Sequence, residues 1–93
     1  MDDLVHAIAR KHALSILNLL GARRTSRFSD IEAQLEQVGP STLSDTLKEL
    51  VSVGLVNREV YPDTPPRVEY ALTEAGALLR ERFHHLLDQV REG

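Results

Sequence analysis

Two sets of side chains in this 93-residue sequence have the types and spacing to do chemistry. The first is a histidine and carboxylate group: His84 and Asp88 are four apart, on one face of any helix, with His85 beside them. Two ligands do not make a metal site, so a third would have to come from His6, His12 or a second subunit. Without one, these are solvated or subunit-facing histidines. The chain has no glycine-rich phosphate loop and no nucleophile in a recognisable motif, and its acids are scattered like surface charges. No catalytic residue, metal or cofactor is expected. The absence of cysteine removes disulfides, thiolate ligands and thiol redox sensing.

The second set suits a polyanion. Net charge is −3, yet Leu4 to Ser29 holds five basic residues (Arg10, Lys11, Arg23, Arg24 and Arg27) and no acid, while the rest carries six basic and fourteen acidic residues. Affinity for nucleic acid depends on a local basic face rather than on the total. The same residues would also serve as a merely solvated surface. Further on, Ser41, Thr42, Ser44, Asp45 and Lys48 share a short segment of hydroxyls and charges able to reach base edges and phosphates.

The elements that must position these groups follow from periodicity. Apolar residues recur every three or four positions from Leu4 to Leu20, which predicts one amphipathic helix stopped by Gly21. Ser29 and Glu32 have capping-box spacing and predict a second helix carrying Ile31, Leu35 and Val38, ended at Gly39-Pro40. Pro40 suits the first position of a third helix over 40–53, bounded by Gly54. Leu43, Leu47, Leu50 and Val51 would bury one side of it, leaving Ser41, Ser44, Asp45 and Lys48 outward with Thr42, Thr46 and Glu49 on the flank.

The runs 55–61 and 67–72 are β-branched and aromatic, and predict a hairpin. Its connection, Pro62-Asp63-Thr64-Pro65-Pro66, lacks three of five backbone donors and must project as a stiff wing. Thr73 should cap a last helix from Glu74 to about Glu92, striped by Ala75, Leu79, Phe83, Leu86 and Val90. That stripe exceeds what a domain this small can cover, so it predicts pairing with the same helix of a second copy.

The expected fold is therefore mainly α with a small β-hairpin: helix, short strand, helix-turn-helix, two-stranded wing, long C-terminal helix. It forms one winged helix-turn-helix domain over 1–93, with 74–92 as the dimerisation helix. In this arrangement the third helix enters the major groove of double-stranded DNA and the wing (55–72) lies on the backbone or minor groove. Arg23, Arg24, Arg27 and Ser29 would meet phosphate near a helix N-terminus. Arg58 and Arg67, flanking the wing tip, would pair with backbone oxygens or instead with Glu59, Glu69 or Asp63 across the strands. No apolar run is long enough to span a membrane and Met1-Asp2-Asp3 is unlike a signal peptide, so a cytoplasmic protein is expected.

From Lys11 onward the chain resembles the HxlR-type winged helix regulators. The likeness is carried by Lys11-His12-Ala13-Leu14-Ser15-Ile16-Leu17, Arg27-Phe28-Ser29-Asp30-Ile31, Thr42-Leu43-Ser44 and Leu47-Lys48-Glu49-Leu50. It is most specific from Gly54 to Pro62 and from Pro65 through Thr73 to Gly76. The resemblance implies a dimeric DNA-binding transcription regulator joined through its terminal helices, by Val5 and Ile8 at one end and Leu79, Phe83, Leu86 and Val90 at the other. Three departures stand out. His12 replaces the tryptophan usual in that family, the early sensing cysteine is missing, and Asp45 and Thr46 stand where basic residues are common. With Glu49, Asp45 makes the third helix slightly acidic, and this motivates the alternative of a winged helix that contacts proteins with weak or no DNA binding.

Overall fold

The computed structural model describes residues 2–92. Where periodicity predicts one helix there are two, α1 (Asp2–Ala9) and α2 (Ala13–Ala22). They meet at His12, whose φ of 76° lies in the left-handed region that non-glycine residues seldom enter. Ala7 and Ala13 on either side of the joint are fully buried, and small side chains there let the chain turn close to the core. The three-and-four spacing runs unbroken through the joint because both helices bury a face, so periodicity alone cannot reveal it. Gly21 is also corrected: it lies within α2, which ends at Ala22 before an extended Arg23. A side chain on Gly21 would overlap that of Arg80, so the glycine makes room rather than ending the helix.

Helix α3 (Phe28–Gln34) starts two residues earlier than the Ser29–Glu32 spacing predicts. Arg27 is its N-cap, and the backbone N–H of Arg27 donates to the Asp30 carboxylate at 3.2 Å. A chain with Ser29 and Asp30 adjacent offers two possible boxes, and Asp30 wins here because Phe28 enters the helix half-buried against the core. Helix α4 (Pro40–Ser52) begins as expected, with Gly39 as N-cap and Pro40 first. It ends at Ser52 with Val53 as C-cap, and Gly54 just beyond, φ 81°, turns the chain so that the Leu55 N–H donates back to the Leu50 carbonyl at 3.0 Å. Leu43, Leu47 and Leu50 join Ile16, Leu17, Leu20 and Ile31 in one fully buried cluster.

Strands β1 (Val56–Tyr61) and β2 (Arg67–Leu72) pair antiparallel from Val56↔Leu72 to Tyr61↔Arg67. The short strand before α3 is reduced to one bridge, in which Ser26 and Tyr70 exchange backbone hydrogen bonds of 2.9 and 2.8 Å. Thr73 caps α5 (Glu74–Glu92): its hydroxyl accepts from the Gly76 N–H at 3.0 Å and donates to the Gly54 carbonyl at 2.6 Å. One side chain thus ties the end of α4 to the start of α5.

The expected stripe on α5 divides in two. Leu79 packs on the core, and half-buried Phe83 and Leu87 share a cavity with Leu14 and Leu17 of α2. Leu86 and Val90 are 53% and 68% exposed, and Ala75 and Leu78 are exposed as well. A helical stripe drifts around its axis, and α2 covers only one part of it.

Gly76 sits so close to the residue that leads into β1 that a Cβ would collide with the Leu55 carbonyl oxygen, a backbone atom that cannot step aside. Gly76→Ala is expected to cost about 1–3 kcal/mol despite alanine's better helix propensity, as overpacking does. Urea unfolding of the two proteins checks this, and an equally or more stable variant would show that the α5–β1 approach is loose.

Candidate nucleic-acid interface

Helix α4 owes its two-sidedness to its leucines. With Leu43, Leu47 and Leu50 sunk in the core, Ser41, Thr42, Asp45 and Lys48 are exposed and Ser44 is half-exposed. These are the five residues that the sequence assigns to a reading face, and they emerge on one elongated strip. Two flank residues behave otherwise. Thr46 is fully buried, and its hydroxyl donates to the Thr42 carbonyl at 2.7 Å, an intrahelical bond that satisfies it among apolar neighbours. Position 46 therefore cannot offer a charge to any ligand, and the absence of a basic residue there loses its significance.

Glu49 is drawn away from the strip. Arg10, at the α1–α2 joint, donates from Nη1 to Glu49 Oε1 at 2.8 Å, and His6 Nε2 lies 3.8 Å from Oε2. The Glu49 side chain is only 20% exposed. Its charge is met by Arg10, so the solvent face of α4 is left with Asp45 and Lys48, one of each sign. The acidity that counting assigns to this helix is largely neutralised by a residue thirty-nine positions away.

The basic segment is likewise parted by the fold. Arg10 is engaged with Glu49. Arg27 and Ser29, both exposed, open a groove that faces the wing across Asp63, Pro65 and Val68. Arg23 and Arg24, also exposed, point elsewhere: they border a separate cavity with Leu72 and Ala77, at the end of the hairpin remote from the wing tip. Of the stretch treated as one basic surface, Arg27 is the arginine that stands beside the wing.

The two wing arginines also differ. Arg67 Nε lies 3.1 Å from Glu69 and 3.4 Å from Asp63, in charge contacts rather than aligned hydrogen bonds, and its guanidinium covers the Tyr61 ring at 4.4 Å. This pairing with the wing's own acids is the alternative to phosphate that the sequence left open, but it runs along β2 and its loop rather than across the strands. Its cause is the register, which sets Glu59 opposite Glu69, a like-charge pair that needs neutralising. Tyr61 relieves the other half, donating to Glu59 at 3.1 Å, and this hydrogen bond and the Glu59 charge raise the phenol's pKa above its ordinary value. Arg58, exposed and opposite Tyr70, makes no ion pair among the described residues.

The histidine cluster does not assemble. His84 Nε2 is paired with the Asn18 side-chain oxygen at 2.8 Å, and no group of three His, Cys, Asp or Glu residues with metal-binding geometry occurs among the described residues.

A helix pair joined by a tight turn, with the later helix presenting a polar strip beside a projecting hairpin, defines a winged helix-turn-helix domain. The HxlR-like helix-turn-helix family model matches residues 7–92, and the chain belongs to that family. It is 46% identical over 67 residues to YvaP of Bacillus subtilis (strain 168), named as an uncharacterized HTH-type transcriptional regulator, covering 72% of this chain and 60% of that protein. Among solved structures it superposes on a transcriptional regulator assigned to the MarR family from Enterococcus faecalis V583. That match has a TM-score of 0.89 and 32% identity, over 95% of this chain and 79% of the other. The reduced form of the transcriptional regulator YodB from B. subtilis gives 0.82 and 28%, over 95% and 85%. The chain spans between 38% and 65% of the length of the first curated relatives it matches.

Arg10→Ala strands the Glu49 carboxylate in a setting only partly open to water, and is expected to cost about 1 kcal/mol, above the usual exposed ion pair. In a Glu49→Gln background the same change should cost less. A double-mutant cycle by urea unfolding measures the difference, and additivity would show that the pair is incidental.

Proposed function

We propose that this chain is a single winged helix domain over 1–93 that binds double-stranded DNA as a homodimer and regulates transcription, with α4 in the major groove. One observation carries the reading: Ser41, Thr42, Ser44, Asp45 and Lys48 face outward from a helix whose opposite side is locked into the core. Ser41, Thr42 and Ser44 offer hydroxyls to base edges or phosphates, Lys48 a cation to phosphate or guanine, and Asp45 an acceptor to a cytosine amino group. Arg27 and Ser29 on one side of the groove and Arg58 on the hairpin supply the backbone contacts that fix register. Arg67 contributes by holding the wing rather than by meeting phosphate, and Arg23 and Arg24 fall outside this surface. The role is recognition, not catalysis. No helix among the described residues is long and apolar enough to cross a membrane, and a regulator of this kind works in the cytoplasm.

The dimer is built on the side of α5 that α2 leaves uncovered. Val5 of α1 is 57% exposed, and Leu78, Leu86 and Val90 are 50%, 53% and 68% exposed. These form the proposed contact with a second copy, over residues 74–92. Ile8, Leu79 and Phe83, which the resemblance also places there, spend much of their surface inside their own subunit. Two-fold pairing would set the two α4 helices about one turn of DNA apart, roughly 34 Å, over a pseudo-palindrome.

Titrating labelled duplex at increasing salt should show affinity falling steeply, with Arg27→Ala weakening every sequence alike and Ser41→Ala changing the preference between sequences. Failure to bind any duplex at low salt would turn the reading towards a protein-contact module. In sedimentation equilibrium, Leu86→Asp should shift the dimer towards monomer while leaving helix content unchanged. A wild-type monomer at micromolar concentration would remove the paired-subunit geometry.

A further inference from the structure

Gly21 is an oddity of α2. A glycine inside a helix is disfavoured by about 1 kcal/mol relative to alanine, and this one neither adopts a left-handed conformation nor ends the helix. What it permits is the passage of Arg80, whose side chain from α5 lies directly over Gly21 where a Cβ would overlap it. Arg80 is held in that pose by its Nε donating to the Asn18 carbonyl at 3.3 Å.

The consequence is a cavity of about 220 Å³ bordered by Arg23, Arg24 and Arg80, with Leu20, Leu72 and Ala77 as its apolar side. No carboxylate lines it, and none of the three arginines makes an ion pair among the described residues. Three arginines bordering one cavity without a counter-charge repel one another, and the natural remedy is an anion. Each leaves planar N–H donors suited to paired hydrogen bonds with an oxyanion. The cavity lies at the Leu72 end of the hairpin, whereas Arg27 and the wing tip form the groove at the Arg67 end. Five residues of extended strand separate the two, roughly 17 Å, so a duplex on α4 and the wing would not fill it.

We propose that Arg23, Arg24 and Arg80 form a binding site for a small, multiply charged oxyanion, a phosphoryl group or a cluster of carboxylates on a metabolite, admitted by Gly21. The site joins α2, β2 and α5, so its occupant would bridge the winged core to the long terminal helix. The inference goes beyond DNA binding and does not depend on it.

Thermal unfolding of the full chain tests it, in inorganic phosphate and in citrate against sodium chloride of equal ionic strength. A saturable rise of a few degrees in Tm is expected in one or both anions, since a ligand that binds only the folded state raises its stability. Phosphate alone acting identifies a phosphoryl ligand, and citrate alone a polycarboxylate. Arg24→Gln and Arg80→Gln should abolish the rise and Arg27→Gln should keep it. Gly21→Ala supplies the sharpest contrast: it should melt higher than the wild type in chloride yet lose the anion response, because Arg80 must move aside. The proposal is overturned by no saturable rise in either anion, by a rise that survives Gly21→Ala and Arg24→Gln, or by one that vanishes with Arg27→Gln instead. It is equally overturned if Arg23→Gln with Arg24→Gln lowers duplex affinity as much as Arg27→Ala, which would return these arginines to the DNA surface. Failure of duplex binding with the anion response intact would sink only the DNA reading.

Discussion

The packing of Leu43, Leu47 and Leu50 of α4 against Ile16, Leu17, Leu20 and Ile31 is the constraint on which the rest depends. Each of these side chains is fully or almost fully buried, and each contributes on the order of 1.5–3 kcal/mol by leaving water. Because the three leucines follow helical spacing, one side of α4 is committed and the opposite side has to face outward. Thr46 completes the buried side without exposing a polar atom, its hydroxyl returned to the Thr42 carbonyl. The outward polar face of this helix is thus a by-product of a well-filled core. Gly39-Pro40 at one end and Gly54 at the other fix how much of the helix projects.

Around this core the charged residues acquire their roles from neighbours rather than from their positions in the chain. Arg10 is drawn to Glu49, Arg67 to Asp63 and Glu69, and Arg80 to the backbone of α2. Arg27 and Arg58 stay uncommitted, which is what a contact to a polyanion needs. The wing in particular is stiffened by charge: Glu59 and Glu69 face each other in register, and Arg67 and Tyr61 settle the resulting repulsion. Without that arginine the hairpin would carry an unbalanced acidic face.

Helix α5 connects the core to whatever lies beyond it. Thr73 and Gly76 clamp its first turn to the end of α4 and the residue before β1, so the direction in which it leaves is set by the same glycine-terminated turn that ends α4. Its inner side lies on α2 and its outer side carries Leu78, Leu86 and Val90. Any movement of α5 relative to α2 would pass through Arg80, which crosses between them over Gly21. A subunit contact on one side of α5 and an anion between α5 and α2 would therefore act on the same lever.

Much of this was legible in the sequence, because it follows from local chemistry. Proline at the first helical turn, glycine after the last and leucines at three and four fixed α4 almost to the residue. The alternating run before Thr73 marked the hairpin, and the hydroxyl at Thr73 marked the last cap. Family-specific residues from Gly54 to Gly76 agreed with them. What local spacing could not convey was competition between distant groups. The break at His12 leaves the hydrophobic period intact, the choice of Asp30 over Ser29 depends on how Phe28 docks, and the role of Gly21 exists only because Arg80 lies fifty-nine residues further on. Periodicity reports which side of an element is apolar. Which charge finds which partner, and which part of a long stripe is already covered, are settled by through-space contacts that only the assembled fold creates.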